Sequence, residues 1–208
     1  MSSNFQEQSY EKHSRHYFQF TSGGRDEALA KTWLSDDTVD AWRHKRMYKT
    51  IDPILLKDPG ATWLTIGDGR YGGDARYILE KGGKVIASDI SDILLKEAKK
   101  AGYITDYRKE NAESLSFQDL QFDYVFCKES YHHFPRPMLA LYEMLRVSKK
   151  AVVLIEPNDD YISTRVLHVL FRKIKNLIKL FLRKGVLNYW EESGNYGFSL
   201  SKREVEKV

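Results

Sequence analysis

Five short apolar runs punctuate the middle of the chain: Ala61–Ile66, Lys84–Ser88, Tyr103–Tyr107, Phe122–Cys127 and Ala151–Ile155. They are rich in β-branched and aromatic residues and too short for buried helices, so each predicts a strand, the third more weakly than the rest. Between them, Gly73–Lys81, Ile93–Ala101 and Pro137–Val147 place apolar residues three and four apart, the spacing of helices with one buried face. Strands that alternate with helices predict βαβ units. Right-handed crossovers then give an α/β fold: a doubly wound, Rossmann-like, mostly parallel sheet with helices on both faces. The first 60 residues read as helix and loop. One helix is predicted over Thr38–Leu56, with apolar residues at Val39, Ala41, Trp42, Met47, Ile51 and Leu55. Asp36, Asp37 or Thr38 would cap it and Pro53 would disturb it.

The first predicted strand runs directly into Gly67-Asp68-Gly69-Arg70-Tyr71-Gly72, a G-x-G-x-x-G segment opening a predicted helix. Glycines here allow a tight turn and let the backbone approach a ligand, while the helix start offers free N–H groups. The second strand ends at Asp89, 22 residues after Gly67. An acid at that point can accept hydrogen bonds from both hydroxyls of a ribose. Together these features predict a nucleoside cofactor without choosing between a nicotinamide and a sulfonium one.

Composition narrows the picture. The 208 residues suffice for one domain with a core, and 42% hydrophobic with 30% charged residues is ordinary for a globular chain. No apolar run approaches the roughly 18 residues of a spanning helix, and the polar N-terminus lacks the apolar stretch of a secretory signal. Cys127 is the single cysteine, which excludes a disulfide framework or a cysteine-based zinc site and fits a reducing, cytoplasmic setting. The net charge of +4 is concentrated: residues 165–184 hold seven Lys/Arg and no acid. The rest of the chain is therefore not a nucleic-acid-binding surface.

Further segments follow the glycine loop in order: Asn111-Ala112-Glu113, then Lys128-Glu129-Ser130-Tyr131-His132-His133-Phe134-Pro135, then Ala140-Leu141-Tyr142-Glu143-Met144-Leu145-Arg146-Val147. With these, residues 60–160 resemble the class I S-adenosylmethionine-dependent methyltransferases, in particular the broad small-molecule, type 11-like group. The resemblance implies S-adenosyl-L-methionine lying over the ends of strands one, two and four of a seven-stranded sheet. It implies that Gly67, Asp68 and Gly69 pass beneath the methionine and ribose parts. Asp89 would hold the ribose diol, with Ile90 against the adenine. Asn111 and Ala112 would meet the adenine edge, and the backbone at Lys128 the methionine portion. The family usually carries an acid two residues before the first glycine. This chain has Thr65 there and an acid, Asp68, inside the loop. Similar enzymes fold their N-terminal region over the cofactor, so Tyr10, Tyr17, Phe18 and Phe20 are candidates for such a lid; ordinary core packing is the competing reading.

Methyl transfer gains from positioning and, for an acceptor that must lose a proton, from a base near neutrality. His132 and His133 fall where ligands bind in this kind of sheet, and imidazole suits that task. Packing of the following helix is the competing role for one of them. No third ligand stands near the pair, so no metal is expected.

Residues 165–184 form a predicted basic amphipathic helix, apolar at 167, 170, 171, 174, 177, 178 and 181. It would lie on an anionic membrane or an acidic partner, or pack on the domain or a dimer mate. After the fifth strand no further strand is evident. Residues 198–208 read as a capped helix start, with Ser201 as cap and Glu204 completing the box. The chain is therefore expected to lack the last strands of the sheet. The organisation expected is a helical lid over 1–60, a cofactor-binding core over 61–160, and the basic helix with an incomplete end over 161–208. The function expected is methylation of a small-molecule acceptor, lipid-linked or membrane-proximal if the basic helix meets lipid, by a cytoplasmic protein that could self-associate. The alternatives are a non-catalytic cofactor-binding module or partner subunit, and a nicotinamide-dependent oxidoreductase.

Overall fold

The computed structural model describes residues 2–157 and 166–181. Helices α1 (Ser2–Gln19), α2 (Arg25–Thr32), α3 (Val39–Tyr48) and α4 (Asp52–Lys57) precede the sheet. Then β1 (Thr62–Ile66), α5 (Gly73–Glu80), β2 (Lys84–Asp89), α6 (Ile93–Lys100) and β3 (Tyr107–Lys109) follow in strict alternation. After β3 come β4 (Phe122–Lys128), α7 (Pro137–Val147), β5 (Ser148–Ile155) and α8 (Val166–Phe181). The sheet runs in the order β3-β2-β1-β4-β5 and every pair is parallel. The Rossmann-like, doubly wound expectation holds.

Alternation along β1 divides the core between two faces. Trp63 packs with Ala75 and Ile78 of α5 and Leu94 and Leu95 of α6, on the face that Tyr17, Phe20 and Ala30 of the N-terminal helices also cover. Leu64 and Ile66 pack with Leu141, Met144 and Val147 of α7 on the other face. Both faces of the parallel sheet are thereby buried, and the strands read as apolar runs for that reason.

Two predicted elements are placed differently. The third strand lies at Tyr107–Lys109, downstream of Tyr103–Tyr107. Gly102, with φ +78°, ends α6, and Ile104 is buried in the connecting loop rather than in the sheet. An apolar pair that anchors a loop carries the same pattern as a short strand. The single helix over Thr38–Leu56 is broken. Lys49–Ile51 forms a 3₁₀ turn and α4 restarts with Pro53 in its first turn, where the missing N–H costs nothing. Thr38 is the cap of α3, its Oγ1 accepting from Ala41 N at 3.0 Å. The expected incomplete end, with Ser201 and Glu204, lies outside the described residues, as do Arg165 and residues 182–184 of the basic segment.

Candidate functional site

The strand order reverses between β1 and β4, and a crevice opens beyond the carboxyl ends of β1, β2 and β4, where ligands bind in such sheets. A cavity of about 630 Å³ fills it. Gly67, Asp68, Asp89, Ile90, Asn111, Ala112, Lys128, His132 and His133 all line this cavity, so nine of the ten residues singled out in the sequence converge on it. Gly69 is not part of the lining.

The glycine loop explains that exception. A Cβ on Gly69 would strike the Tyr17 hydroxyl and would stand 2.8 Å from Asp89 Oδ2. Tyr17 of α1 thus lies over the loop beside the β2 carboxylate. Burial pushes its phenol well up, with Asp89 adding to the effect. Gly67 lines the cavity and also has a packing task. Its φ is +74°, and a Cβ there would strike the Cβ and Oγ of Ser130 rather than enter the cavity. Ser130 Oγ donates to Gly67 O at 2.8 Å, tying the β1 loop to the β4 loop.

Asp68 turns away from the cavity centre. Its carboxylate accepts from Thr65 Oγ1 at 2.8 Å and from the N–H groups of Asp74 and Ala75 at 3.0 and 2.9 Å. It therefore caps the start of α5 from within the loop. Thr65, in the place of the more usual acid, supplies the donor that holds it.

Asp89 is 4% exposed, and burial raises its carboxyl above the ordinary value while the nearby His13 opposes that rise. Its Oδ1 accepts from Ser91 N at 2.8 Å. Asn111 Oδ1 accepts from Glu113 N at 3.0 Å, so the amide is oriented by its own turn and retains a second lone pair. Lys128 is buried: its Nζ lies 2.9 Å from His44 Nδ1, 3.3 Å from Asp74 Oδ1 and 5.1 Å from the centre of the Tyr48 ring. Tyr48 donates to the same Asp74 oxygen at 2.9 Å. The ammonium is thus committed to a charge network at the edge of the cavity.

His132 and His133 follow β4 in a 3₁₀ turn, Tyr131–His133. Glu156, immediately after β5, organises this turn. It accepts from Ser130 N at 2.9 Å, from Tyr131 N at 2.8 Å, and lies 2.5 Å from His132 Nδ1. Its side chain is 3% exposed. A carboxylate on Nδ1 fixes the tautomer with Nε2 as the acceptor. His133 differs: burial first, and then His132, hold its imidazole down to about 3, so it is neutral across the physiological range.

Glu156 and His44 were not singled out in the sequence. Glu156 carried a signal, an acid directly after a strand at the carboxyl edge of the sheet. His44 carried none, because a histidine in a helix tells nothing of the lysine that reaches it from another element. Glu113 also acquires a defined part. It accepts from Tyr10 OH at 2.7 Å and from Arg136 N and Nε at 2.7 and 2.6 Å, clasping α1 to the β4 loop.

The residues fit a nucleoside cofactor: a buried carboxylate ends β2, and Ile90, Asn111 and Ala112 line the same cavity. Comparison with known proteins agrees. Residues 64–155 match the family model described as a methyltransferase domain. Among solved structures, a S-adenosylmethionine-dependent methyltransferase of Methanosarcina mazei is similar at 22% identity, over 74% of this chain and 80% of that one, with TM-score 0.55. A Pyrococcus horikoshii protein is similar at 20% identity over 89% and 88%, with TM-score 0.57. A candidate methyltransferase of Bacillus halodurans is similar at 21% identity, with TM-score 0.54, over 77% of this chain and 65% of that one, a little under two thirds of its length. No curated protein matches the sequence.

Proposed function

We propose that this chain, whose residues 64–155 are a methyltransferase domain on a Rossmann-like sheet, transfers a methyl group from S-adenosyl-L-methionine to a small-molecule acceptor. One observation carries the reading: Asp89 at the end of β2 and the Glu156-oriented His132 after β4 face one cavity of about 630 Å³. That volume suits a cofactor with a small acceptor, and α1 and α3 wall it over, which argues against a macromolecular substrate.

When bound, S-adenosyl-L-methionine supplies an electrophilic methyl on a sulfonium. The chain's own residues do the rest. The Asp89 carboxylate accepts from the ribose hydroxyls. Ile90 and Ala112 form the apolar walls of the base site, and Asn111 offers its remaining lone pair to an amino group. Gly67 and Asp68 shape the loop from beneath: the first lets Ser130 close in, the second fixes the start of α5. The Lys128 main chain borders the methionine portion. Nε2 of His132 takes the acceptor's proton while Glu156 holds Nδ1–H and stabilises the imidazolium that forms. His133, held neutral, is a wall of the pocket. Residues 1–60 act as the lid, 61–160 as the cofactor-binding core. No described helix is long and apolar enough to cross a membrane.

The test is release of S-adenosylhomocysteine, followed by mass spectrometry, when the protein is given S-adenosyl-L-methionine and a fractionated small-molecule extract. A productive fraction is expected. With it, His132→Gln should lower kcat by roughly 10²–10⁴-fold while cofactor affinity stays within about twofold. Tight cofactor binding without turnover in any fraction would favour the non-catalytic module. An unimpaired His132→Gln would place the base elsewhere.

A further inference from the structure

Helix α8 is apolar along one side and that side faces solvent. Leu167, Leu170, Phe171, Ile174, Leu177 and Ile178 are between 53% and 81% exposed. At 3.6 residues per turn they fall within about a third of the helix circumference. Scattered exposed apolar residues are ordinary, but six large ones in a continuous stripe mark an interaction surface. The charges around the stripe indicate its partner. Lys175 lies one turn beyond Phe171 and Lys173 one turn before Leu177, so a lysine borders the stripe on each side, and both are exposed. Residues 165–184 as a whole carry seven Lys/Arg and no acid.

We propose that α8 lies in the plane of an anionic membrane surface, its stripe among the acyl chains and its lysines at the headgroup phosphates. Each part of the pattern has a use there. The stripe leaves water, and long cationic side chains at its borders extend along the apolar surface while their charges stay at the interface. A second copy of the same face would bring seven positive charges against seven. A nucleic acid would answer the charges but leave the stripe in water. In this reading the helix holds the protein where amphipathic or lipid-borne acceptors are concentrated. The surface does not depend on methyl transfer, and vesicle binding is read without any activity.

The experiment is flotation of the full chain with vesicles of phosphatidylcholine alone or with about one third phosphatidylglycerol, at roughly 0.1 and 0.5 M salt. Binding to the anionic vesicles is expected at low salt, at least tenfold weaker to the neutral ones, and largely lost at high salt. Phe171→Glu with Ile178→Glu should reduce binding at least tenfold with unchanged melting temperature and solution size. Lys173→Gln with Lys175→Gln should weaken anionic binding by roughly ten- to thirtyfold. Equal binding to both vesicle types, or none, would overturn the proposal. So would full binding by either double variant. A large fall in melting temperature in the glutamate variant would show the stripe packed within the protein, and dissociation of an oligomer would assign it to a second copy; each overturns the proposal too.

Discussion

Gly67 shows how part of one residue's task lies outside its local pattern. A strand running into G-x-G-x-x-G made it a ligand-facing glycine, but its Cβ direction leads to Ser130 of another loop, a meeting of residues 63 apart that no local pattern encodes. Its substitution should therefore act on stability. Gly67→Ala combines a left-handed φ of +74° with a collision, whereas Gly82 has φ +83° and open space around it. Gly82→Ala should cost about 1–2 kcal/mol from backbone conformation alone, and Gly67→Ala measurably more. Urea denaturation of the two variants checks this; equal costs would remove the Ser130 contact from the account. Asp68 teaches a similar lesson: it was legible as a loop acid, but its capping of α5 became apparent only with the N–H groups of Asp74 and Ala75 in place. The place of Asp89 in the cavity, by contrast, was legible, because a strand end fixes where its side chain goes.

The strands β1, β2 and β4 were legible because they are largely buried, and β5 because its run Ala151–Ile155 is apolar throughout, so a short apolar run had one meaning. β3 was the exception, being only three residues long, two of them exposed, with the apolar weight on Ile104 before it. The N-terminal helices were legible as helices and expected as a lid, but the contacts that hold them were not, since these depend on partners distant in sequence. The clasp from Tyr10 to the buried Glu113, shared with Arg136, is the clearest of these. Tyr10→Phe removes one hydrogen bond to a charged acceptor at a half-buried site, worth on the order of 1 kcal/mol. Amides of α1 should then exchange several-fold faster while those of α5 and α6 are unchanged. Hydrogen-exchange mass spectrometry decides; uniform protection in the variant would show that α1 is held by other contacts.

At the scale of the molecule, the site imposes a pH dependence. The His133 imidazole is held down to about 3, chiefly by burial. His44 is also lowered, by burial and by Lys128. Below about pH 6.5 the unfolded chain protonates His133 and the folded chain does not, so stability falls as the pH falls, by up to about 1.4 kcal/mol per unit, and the lowered His44 acts in the same direction. Asp123, drawn to about 2 by the Thr62 N–H and hydroxyl, adds to the loss only below about pH 4, through the interval down to its folded value. Melting temperature should decline between pH 6.5 and 5, and less steeply in His133→Asn; identical slopes would mean that His133 is protonated in the folded protein. In the proposed function the whole sheet assembles, at its carboxyl edge, a site for S-adenosyl-L-methionine anchored on Asp89. Calorimetric titration of that cofactor into the wild-type chain and into Asp89→Ala tests it most directly. Charge-assisted hydrogen bonds contribute about 1.5–3 kcal/mol, so binding is predicted for the wild type and a ten- to hundredfold weaker affinity for the folded variant. Equal affinity in the two proteins, or binding of a nicotinamide dinucleotide in place of S-adenosyl-L-methionine, would contradict the account.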